Sequence, residues 1–225
     1  MYKISEWFVS INGEGRRAGE LATFIRFTGC NLSCSYCDTA WAIDENGEHF
    51  EKSLEEIVEY VEASGIRNVT LTGGEPLMRD GIEELILELI GKNHRVEVET
   101  NGAISIKGLY DLAVKYSLTD ELSVTLDYKC PGSGMEAMMD MENYQFLRTS
   151  DTVKFVVCDR NDLDKATQII KSLNLIDRCA VYFSPVFGSI EPAEIVEYMI
   201  EHKLNGVTNQ LQQHKFIWPP DMRGV

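Results

Sequence analysis

Three closely spaced cysteines are the residues of this chain with the most evident chemistry. Cys30, Cys34 and Cys37 have the spacing C-x3-C-x2-C, and a short apolar stretch, residues 22–27, precedes them. Three thiolates on one loop can occupy three corners of a metal centre, whereas a fully ligated iron–sulfur cluster normally takes four cysteines. The spacing therefore favours an iron–sulfur cluster with one iron open to a small molecule.

Other interpretations of these cysteines compete with the cluster. A disulfide is not expected, because the first residues do not resemble a secretory signal and cytosolic thiols stay reduced. A structural zinc ion is usually held by two separate C-x2-C pairs. Here zinc would need a distant fourth ligand from Cys130, His49, His94, His202 or His214. Burial of three structural cysteines in so short a loop would be unusual.

Composition limits what the chain can bind. The sequence has 225 residues, of which 44% are hydrophobic, and its formal net charge is −15. This length and hydrophobic fraction predict a packed core in a single domain, residues 1–225. The negative charge repels phosphates, so general nucleic-acid binding is disfavoured. No apolar run reaches the ~18 residues of a membrane helix, so we expect no membrane contact and a cytoplasmic protein.

Strand and helix patterns alternate along the chain and predict its fold class. Strands are predicted at residues 4–11, 22–27, 69–72, 96–99, 122–126, 153–157, 180–183 and 207–212. Helices are predicted at residues 53–64, 82–90, 107–116, 138–147, 163–173 and 190–202, the first two with capping boxes that start at Ser53 and Asp80. Residues 41–52 are predicted to form a loop. The alternation indicates an α/β fold with parallel strands and right-handed crossovers, either an open sheet or a partial barrel.

Several turns rich in glycine or charge follow the predicted strands. They are the cysteine loop and residues 73–76, 99–102 and 127–129. In parallel α/β folds ligands gather at the carboxyl ends of the strands, so these turns are expected to form one site.

Two further features near the N-terminus admit a structural or a functional interpretation. Arg26 is the only charge in its apolar strand, and it is either solvated or placed to pair with a carboxylate. Residues 12–15, Asn-Gly-Glu-Gly, form either an ordinary hairpin turn or a place where the backbone approaches a ligand closely.

The cysteine loop resembles the signature of the radical S-adenosylmethionine (SAM) superfamily, in which an aromatic residue, here Tyr36, precedes the third cysteine. Residues 73–76, Gly-Gly-Glu-Pro, resemble the superfamily's second motif. This resemblance implies a 4Fe–4S cluster on Cys30, Cys34 and Cys37, with SAM on the open iron, in a trimmed, partial (β/α)6-type barrel.

More motifs extend the resemblance over most of the chain, to the 7-carboxy-7-deazaguanine synthase family. They are residues 11–15, Arg26, 37–39, 99–102, 127–131, 210–215 and Trp218. The family converts 6-carboxy-5,6,7,8-tetrahydropterin into 7-carboxy-7-deazaguanine and ammonia, in the biosynthesis of queuosine and related 7-deazapurines. Two departures are Asn12, where the family usually has glutamine, and a tail that continues to Val225.

The resemblance also implies roles for individual residues. SAM would be bound by Tyr36, Cys37, Asp38, Gly74, Asp127, Tyr128 and Lys129. The pterin would be surrounded by Ile11, Asn12, Gly13, Arg26, Thr72, Glu99 and His214. Arg26 would pair with its carboxylate and Glu99 with its guanidine-like edge. Thr39 would be a ligand of Mg²⁺, which prefers oxygen donors. The family further implies a homodimer and an electron donor such as flavodoxin.

Two other functions compete with this one. A glycyl-radical activating enzyme is also a small radical SAM protein, but residues 12–15 and 37–39 argue against it. A non-catalytic zinc module that presents its acidic surface to a partner protein is the alternative from another class.

Overall fold

The computed structural model describes residues 1–225, and one nine-stranded sheet organises them. The strands are β1 (Tyr2–Ile11), β2 (Leu21–Phe27), β3 (Phe50–Lys52), β4 (Asn68–Gly73), β5 (Arg95–Thr100), β6 (Leu122–Lys129), β7 (Thr152–Val157), β8 (Ala180–Pro185) and β9 (Val207–Asn209). The helices are α1 (Leu54–Ser64), α2 (Ile82–Gly91), α3 (Lys107–Tyr116), α4 (Arg160–Ser172), α5 (Pro192–Glu201) and α6 (His214–Ile217). None of them is long and apolar enough to cross a membrane.

The strand order explains why all the helices share one core. The order is β3-β1-β2-β4-β5-β6-β7-β8-β9, and every pair from β2 to β9 is parallel. Because the order never reverses, right-handed crossovers bring each helix to the same face of the sheet. The edge strands β3 and β9 do not pair with each other, so the sheet is open. The predicted α/β class with parallel strands is confirmed.

The two faces of the sheet differ in chemistry. One face joins the helices in a core cluster of 40 buried residues, among them Leu71, Val98 and Phe155. Alternate residues such as Glu97 and Thr125 point to the opposite, inner face, where they are buried although polar. A parallel sheet covered by helices on both faces would carry apolar residues on both. The polar inner face is therefore the face that helices leave uncovered.

Segments from the two ends of the chain cover this inner face. The loop between β1 and β2 meets the segment after β9, where Gly15 and Gln210 exchange hydrogen bonds of 2.8 and 2.9 Å. The N–H of Gln213 donates to the carbonyl of Gly13 at 3.0 Å. Glu14 reaches inward and pairs with Lys154 of β7 at 3.2 Å. The space between the inner face and these segments is thus polar and does not form a second hydrophobic core.

Most of the predicted strands and helices are confirmed, whereas the two predicted capping boxes differ in outcome. The capping box of α1 is confirmed, since Ser53 accepts from the N–H of Glu56 and the Glu56 carboxylate accepts from the N–H of Ser53. The box predicted at Asp80 is wrong, because Gly81 caps α2 in a left-handed conformation with φ 78° and no side chain takes part.

Two longer elements also differ from prediction. The predicted loop 41–52 contains β3, which pairs with β1. The helix predicted at 138–147 is wrong, because Glu136–Met138 and Met141–Phe146 form separate 3-10 turns. Met138 and Met141 are exposed, so the apolar residues do not form one buried stripe, and Asp140 starts the second turn by accepting from the N–H of Glu142.

Glu97 provides a test of the buried polar interior. It accepts a hydrogen bond from the Thr125 hydroxyl at 2.6 Å. Burial, together with the negative charge of Glu99, raises the pKa of Glu97 to about 7. The folded state therefore holds the proton of this carboxyl group more tightly than the unfolded chain does.

We expect Glu97→Gln to flatten the dependence of stability on pH. The stabilising contribution of Glu97 is complete below its ordinary pKa of 4.5 and is lost as the pH rises through about 7. The loss is of order 3 kcal/mol. Urea unfolding at about pH 5 and about pH 8 measures it. The variant should gain stability relative to the wild type at the higher pH, and an equal difference at both pH values would contradict the raised pKa.

Candidate active site

The cysteine loop follows β2 and is anchored on both sides. The N–H groups of Gly29 and Cys30 donate to the carbonyls of Ala42 and Ile43 at 2.8 and 3.0 Å. Farther along the loop, the N–H of Ser35 donates to the carbonyl of Ser133 at 3.0 Å. The three cysteines are half-buried. The loop is therefore held in place while its sulfurs stay accessible.

The Gly-Gly-Glu-Pro turn after β4 packs directly on the cysteine loop. The N–H of Gly74 donates to the carbonyl of Phe27 at 2.9 Å, and the N–H of Glu75 donates to that of Gly29 at 2.8 Å. A Cβ on Gly74 would lie 2.0 Å from the Gly29 carbonyl oxygen, so only glycine permits this approach. These N–H groups are therefore bound within the chain and are not available to a ligand. The carbonyl oxygen of Gly74, by contrast, accepts no hydrogen bond from the chain and is available to a ligand.

Glu75 has a structural position that the motif alone did not reveal. Its carboxylate is fully buried and accepts from the Thr100 hydroxyl and the Asn101 N–H, both at 2.8 Å, and from the N–H of Leu77 at 3.0 Å. Burial raises the pKa of Glu75, while these donors act in the opposite direction. The carboxylate thus joins the turn to the end of β5 and does not point at a ligand.

Opposing effects act on the pKa values of the thiols in the cysteine loop. Burial raises the pKa of Cys30 and Cys34, and the ammonium of Lys129 opposes the shift at both. The sulfur of Cys30 accepts weak hydrogen bonds from the N–H of Leu32 at 3.4 Å and the amide of Asn101 at 3.6 Å. Metal ligation requires thiolates, so the donors and the nearby cation favour a bound metal centre.

The spacing of the three cysteine sulfurs can be compared with the spacing that a single zinc ion requires. Three sulfurs on one tetrahedral zinc, each at about 2.3 Å, would lie roughly 3.8 Å apart. Only one set of three His, Cys, Asp or Glu side chains has its ligand atoms within 4.8 Å of one another, and it is Cys158, Asp159 and Asp162. The sulfurs of Cys30, Cys34 and Cys37 do not all lie within that distance of one another. Three thiolates on one loop would serve as three of the four ligands that an iron–sulfur cluster normally takes.

The alternative set around Asp162 is explained by backbone contacts. The Asp162 carboxylate accepts from the N–H groups of Gly132 and Cys158 at 2.8 and 3.0 Å. It therefore links the segment after β6 to the start of α4.

The end of β6 supplies charged groups to the inner face. Lys129 donates to Asp127 at 2.7 Å, and Lys154 lies 3.9 Å from the same carboxylate. Tyr128 points to the opposite face, where it is buried in the core and donates to Glu136 at 2.9 Å. The structure therefore brings Asp127 and Lys129 to the predicted SAM site but excludes the Tyr128 side chain from it.

Tyr36 and Asp38 lie on the cysteine loop beside other elements. The Tyr36 hydroxyl donates to the carbonyl of Val156 at 3.1 Å, which places the ring against the end of β7. Asp38 pairs with Lys215 at 3.2 Å. Desolvation acts to raise the pKa of Asp38, but the charges of Lys215, Lys154 and Arg26 together lower it.

Arg26 lies on the inner face and is only partly neutralised. Its Nε donates to Glu6 at 2.8 Å, and no protein acceptor binds its terminal nitrogens. The guanidinium lies 5.8 Å from the ring centre of Trp41, and that of Arg223 stacks on the same ring at 3.6 Å. Thr72 is next to Arg26 on the neighbouring strand. Two free nitrogens in a half-buried site can receive a planar carboxylate.

The remaining predicted pterin residues come from the covering loops. His214 packs on Gly13, where a Cβ would lie 2.2 Å from the ring Nδ1. Burial lowers the pKa of His214, while the carboxylates of Glu14, Asp38 and Glu99 oppose the shift. The His214 ring is therefore close enough to Glu14, Asp38 and Glu99 for their charges to act on it. Ile11, at the end of β1, leads into the same loop.

Several buried polar atoms have no hydrogen-bond partner within the chain. Among those of the interior are Nδ2 of Asn12, Oε1 of Glu14 and Oδ1 of Asp127. The other end of the Asn12 amide accepts from Thr70 at 2.8 Å, which fixes its orientation. Buried polar atoms are nearly always hydrogen-bonded to protein or water, so these atoms are available to water or to a polar ligand.

Sequence reasoning missed several residues of this site. Glu6, Glu75, Trp41 and Lys154 contact residues that it did identify, and Arg223 stacks on Trp41. Among them only Glu75 belonged to a recognised motif. For the others the partners are distant in sequence, and no local pattern identifies them.

Comparison with known proteins agrees with this geometry. A model of the radical SAM superfamily matches residues 24–128. The chain is 48% identical to a 7-carboxy-7-deazaguanine synthase of Clostridium acetobutylicum, over 100% of this chain and 99% of the relative. It is 34% identical to the synthase of the same name from Chlorobaculum tepidum, over 99% of this chain and 96% of the relative.

Solved structures have the same fold. The crystal structure of QueE from Escherichia coli superposes with a TM-score of 0.71 at 22% identity, covering 95% of this chain and 94% of that one. Streptococcus suis SuiB bound to S-adenosylmethionine superposes with a TM-score of 0.59 at 12% identity, covering 82% of this chain and 48% of that one. With the full-length similarity to the curated relatives, the chain belongs to the 7-carboxy-7-deazaguanine synthase family of radical SAM enzymes.

Proposed function

We propose that the polar interior binds 6-carboxy-5,6,7,8-tetrahydropterin, which the chain converts into 7-carboxy-7-deazaguanine with loss of ammonia. The chain is a radical SAM lyase of queuosine biosynthesis, as its relatives are. One structural observation supports the substrate above all others. The free hydrogen-bonding groups of the interior are complementary to the polar groups of this pterin.

Three residues of the interior carry groups that are complementary to particular groups of the pterin. The terminal nitrogens of Arg26 suit the 6-carboxylate. Glu99, on the same face, forms no side-chain hydrogen bond within the chain and suits the amino and N3–H edge of the pterin. The unpartnered Nδ2 of Asn12 suits the ring carbonyl. A ligand with these groups would give hydrogen-bond partners to atoms that have none within the chain.

The cofactors would occupy the carboxyl ends of the strands. Cys30, Cys34 and Cys37 would hold a 4Fe–4S cluster. The unpaired carbonyl of Gly74 suits the SAM ammonium, and Oδ1 of Asp127 suits a ribose hydroxyl. When bound, the cluster and SAM supply radical chemistry, the abstraction of a hydrogen atom from a carbon of the substrate.

The protein's own residues orient the substrate and exclude water. Arg26, held by Glu6, fixes the carboxylate end of the pterin. His214 and Gly13 close the opposite side, and the stack of Arg223 on Trp41 covers the region beside Arg26. Thr39 precedes Trp41, and its hydroxyl is a candidate ligand for Mg²⁺ shared with the substrate carboxylate. Such a shared ion would stabilise negative charge during ring contraction.

The assembly and location of the enzyme follow the family. We infer a homodimer, the commonest oligomer, in the cytoplasm. A flavodoxin-type protein would donate the electron.

A direct assay tests the substrate assignment. Cluster-loaded protein, incubated anaerobically with the tetrahydropterin acid, SAM, a reductant and Mg²⁺, should form 7-carboxy-7-deazaguanine, detected by mass spectrometry. Absence of product from protein with an intact cluster would falsify the assignment. A colourless protein that contains zinc would instead support the non-catalytic module.

Removing one cluster ligand should abolish activity. We expect Cys34→Ala to lose the broad visible absorption of the cluster and turnover, because two thiolates remain where three are needed. Cys179→Ala is the matched control, since its half-buried thiol lies beside Leu175. Iron content and absorbance after anaerobic reconstitution measure the effect, and full iron loading of Cys34→Ala would contradict the ligand assignment.

Removing the Arg26 guanidinium should weaken substrate binding more than it slows turnover. Hydrogen bonds to charged groups contribute about 1.5–3 kcal/mol, so Arg26→Ala should raise KM by roughly ten- to a hundredfold. Arg26→Lys should recover part of the loss. Arg160→Ala, which removes an exposed pair with Glu201, is the control. An unchanged KM for Arg26→Ala would exclude the carboxylate contact.

A further inference from the structure

Two carboxylates of the interior lie on either side of Lys154, and each has one free oxygen. Lys154 is 3.2 Å from Glu14 and 3.9 Å from Asp127. All three side chains are close to nine-tenths buried, with exposed fractions of 11, 10 and 14% for Lys154, Glu14 and Asp127. Oε1 of Glu14 and Oδ1 of Asp127 have no partner. The free oxygen of Asp127 is assigned to SAM above, whereas that of Glu14 is unassigned.

The two oxygens of Glu14 have different environments. Oε2 accepts from Lys154 at 3.2 Å and from the amide of Gln212 at 3.0 Å. These contacts fix the orientation of the carboxylate and leave Oε1 free. The Ser184 hydroxyl is near enough to help lower the pKa of Glu14, yet neither its Oγ nor Oε1 forms a hydrogen bond. A carboxylate oxygen accepts two hydrogen bonds, so Oε1 keeps capacity for a ligand even beside Ser184.

Glu14 lies among the residues assigned to the pterin. It directly follows Gly13, which contacts His214, and its charge acts on the His214 ring together with that of Glu99. Although burial acts to raise the pKa of Glu14, the ammonium of Lys154 and the Gln212 bond lower it overall. The group is therefore ionised at neutral pH, and an ionised carboxylate only accepts hydrogen bonds.

We propose that Glu14 is a further substrate-binding residue, whose Oε1 accepts a hydrogen bond from a ring N–H of the saturated pyrazine half of the pterin. This inference rests on the proposed function. The tetrahydropterin carries N–H at N5 and N8, and Glu99 serves the other end of the molecule. In a fully oxidised pterin both nitrogens carry a lone pair instead, which would face the carboxylate lone pair. Glu14 thus selects the reduced substrate.

Ligand binding without turnover separates the two oxidation states. The cluster-loaded enzyme with SAM, but without reductant, is titrated anaerobically with 6-carboxytetrahydropterin and with fully oxidised 6-carboxypterin. The wild type should bind the reduced form at least about tenfold more tightly, because a charge-assisted hydrogen bond replaces a repulsive contact. Equal affinities in the wild type would overturn the proposal, whatever the variants do.

Glu14→Gln tests the residue itself. The amide oxygen would keep the contacts with Lys154 and Gln212, so the NH2 group would take the place of Oε1. The preference for the reduced form should fall about tenfold, through weaker binding of the tetrahydropterin and tighter binding of the oxidised pterin. A preference equal to that of the wild type would refute the role of Glu14.

Glu20→Gln is the matched control. It makes the same chemical change in the same loop, but the Glu20 carboxylate is already bound by the Asn68 amide at 3.0 Å. Its preference should equal that of the wild type. If Glu14→Gln fails to fold or to retain the cluster, judged by circular dichroism and absorbance, the wild-type ratio still decides. If neither pterin binds the intact wild-type enzyme, the substrate assignment itself fails.

Discussion

The position of the cysteine loop depends on one buried carboxylate, that of Glu75. Its three hydrogen bonds come from Leu77 in its own turn and from Thr100 and Asn101 at the end of β5. The N–H of Glu75 bonds to Gly29 and so extends the same constraint to the cysteine loop. A buried carboxylate that lost these donors would be strongly unfavourable, so the three segments are held as one unit. The Glu-Pro half of the motif therefore positions the metal centre without touching it.

The second constraint is the asymmetry of the sheet. Because helices cover only one face, residues that alternate along β5 and β6 divide between an apolar core and a polar interior. An unsatisfied buried polar group costs about 1–3 kcal/mol. The interior contains several such groups, in Asn12, Glu14 and Asp127, and a ligand of matching polarity would remove these costs.

The sequence predicted those parts of the structure that local patterns encode. The alternation of residues 96–99 and the capping box at Ser53 identified β5 and α1. The alternation of side chains along β6 also predicts the orientation of Tyr128, because neighbouring residues of a strand point to opposite faces. Asp127 and Lys129 therefore lie on the face opposite to that of Tyr128. A motif resemblance that treats 127–129 as one unit overlooks that alternation.

Other features could not be predicted because their partners are far apart in the chain. Glu14 and Lys154 are separated by 140 positions and pair only after the sheet has formed. Arg223, in the tail that follows α6, likewise stacks on Trp41 only once the chain has folded. No residue type or spacing marks either pair in advance. The failed helix at 138–147 is a local error of another kind, in which apolar composition did not correspond to a buried face.

The closure of the interior by opposite ends of the chain has a consequence for how the enzyme matures. Gly15 binds Gln210, and Asp38 binds Lys215, which follows it by 177 positions. At about 5–20 residues per second, a ribosome needs roughly 10–35 seconds to make that stretch. During this interval the cysteines have emerged while the tail that covers the cavity is still missing. The inner face is therefore less covered in the growing chain than in the folded protein.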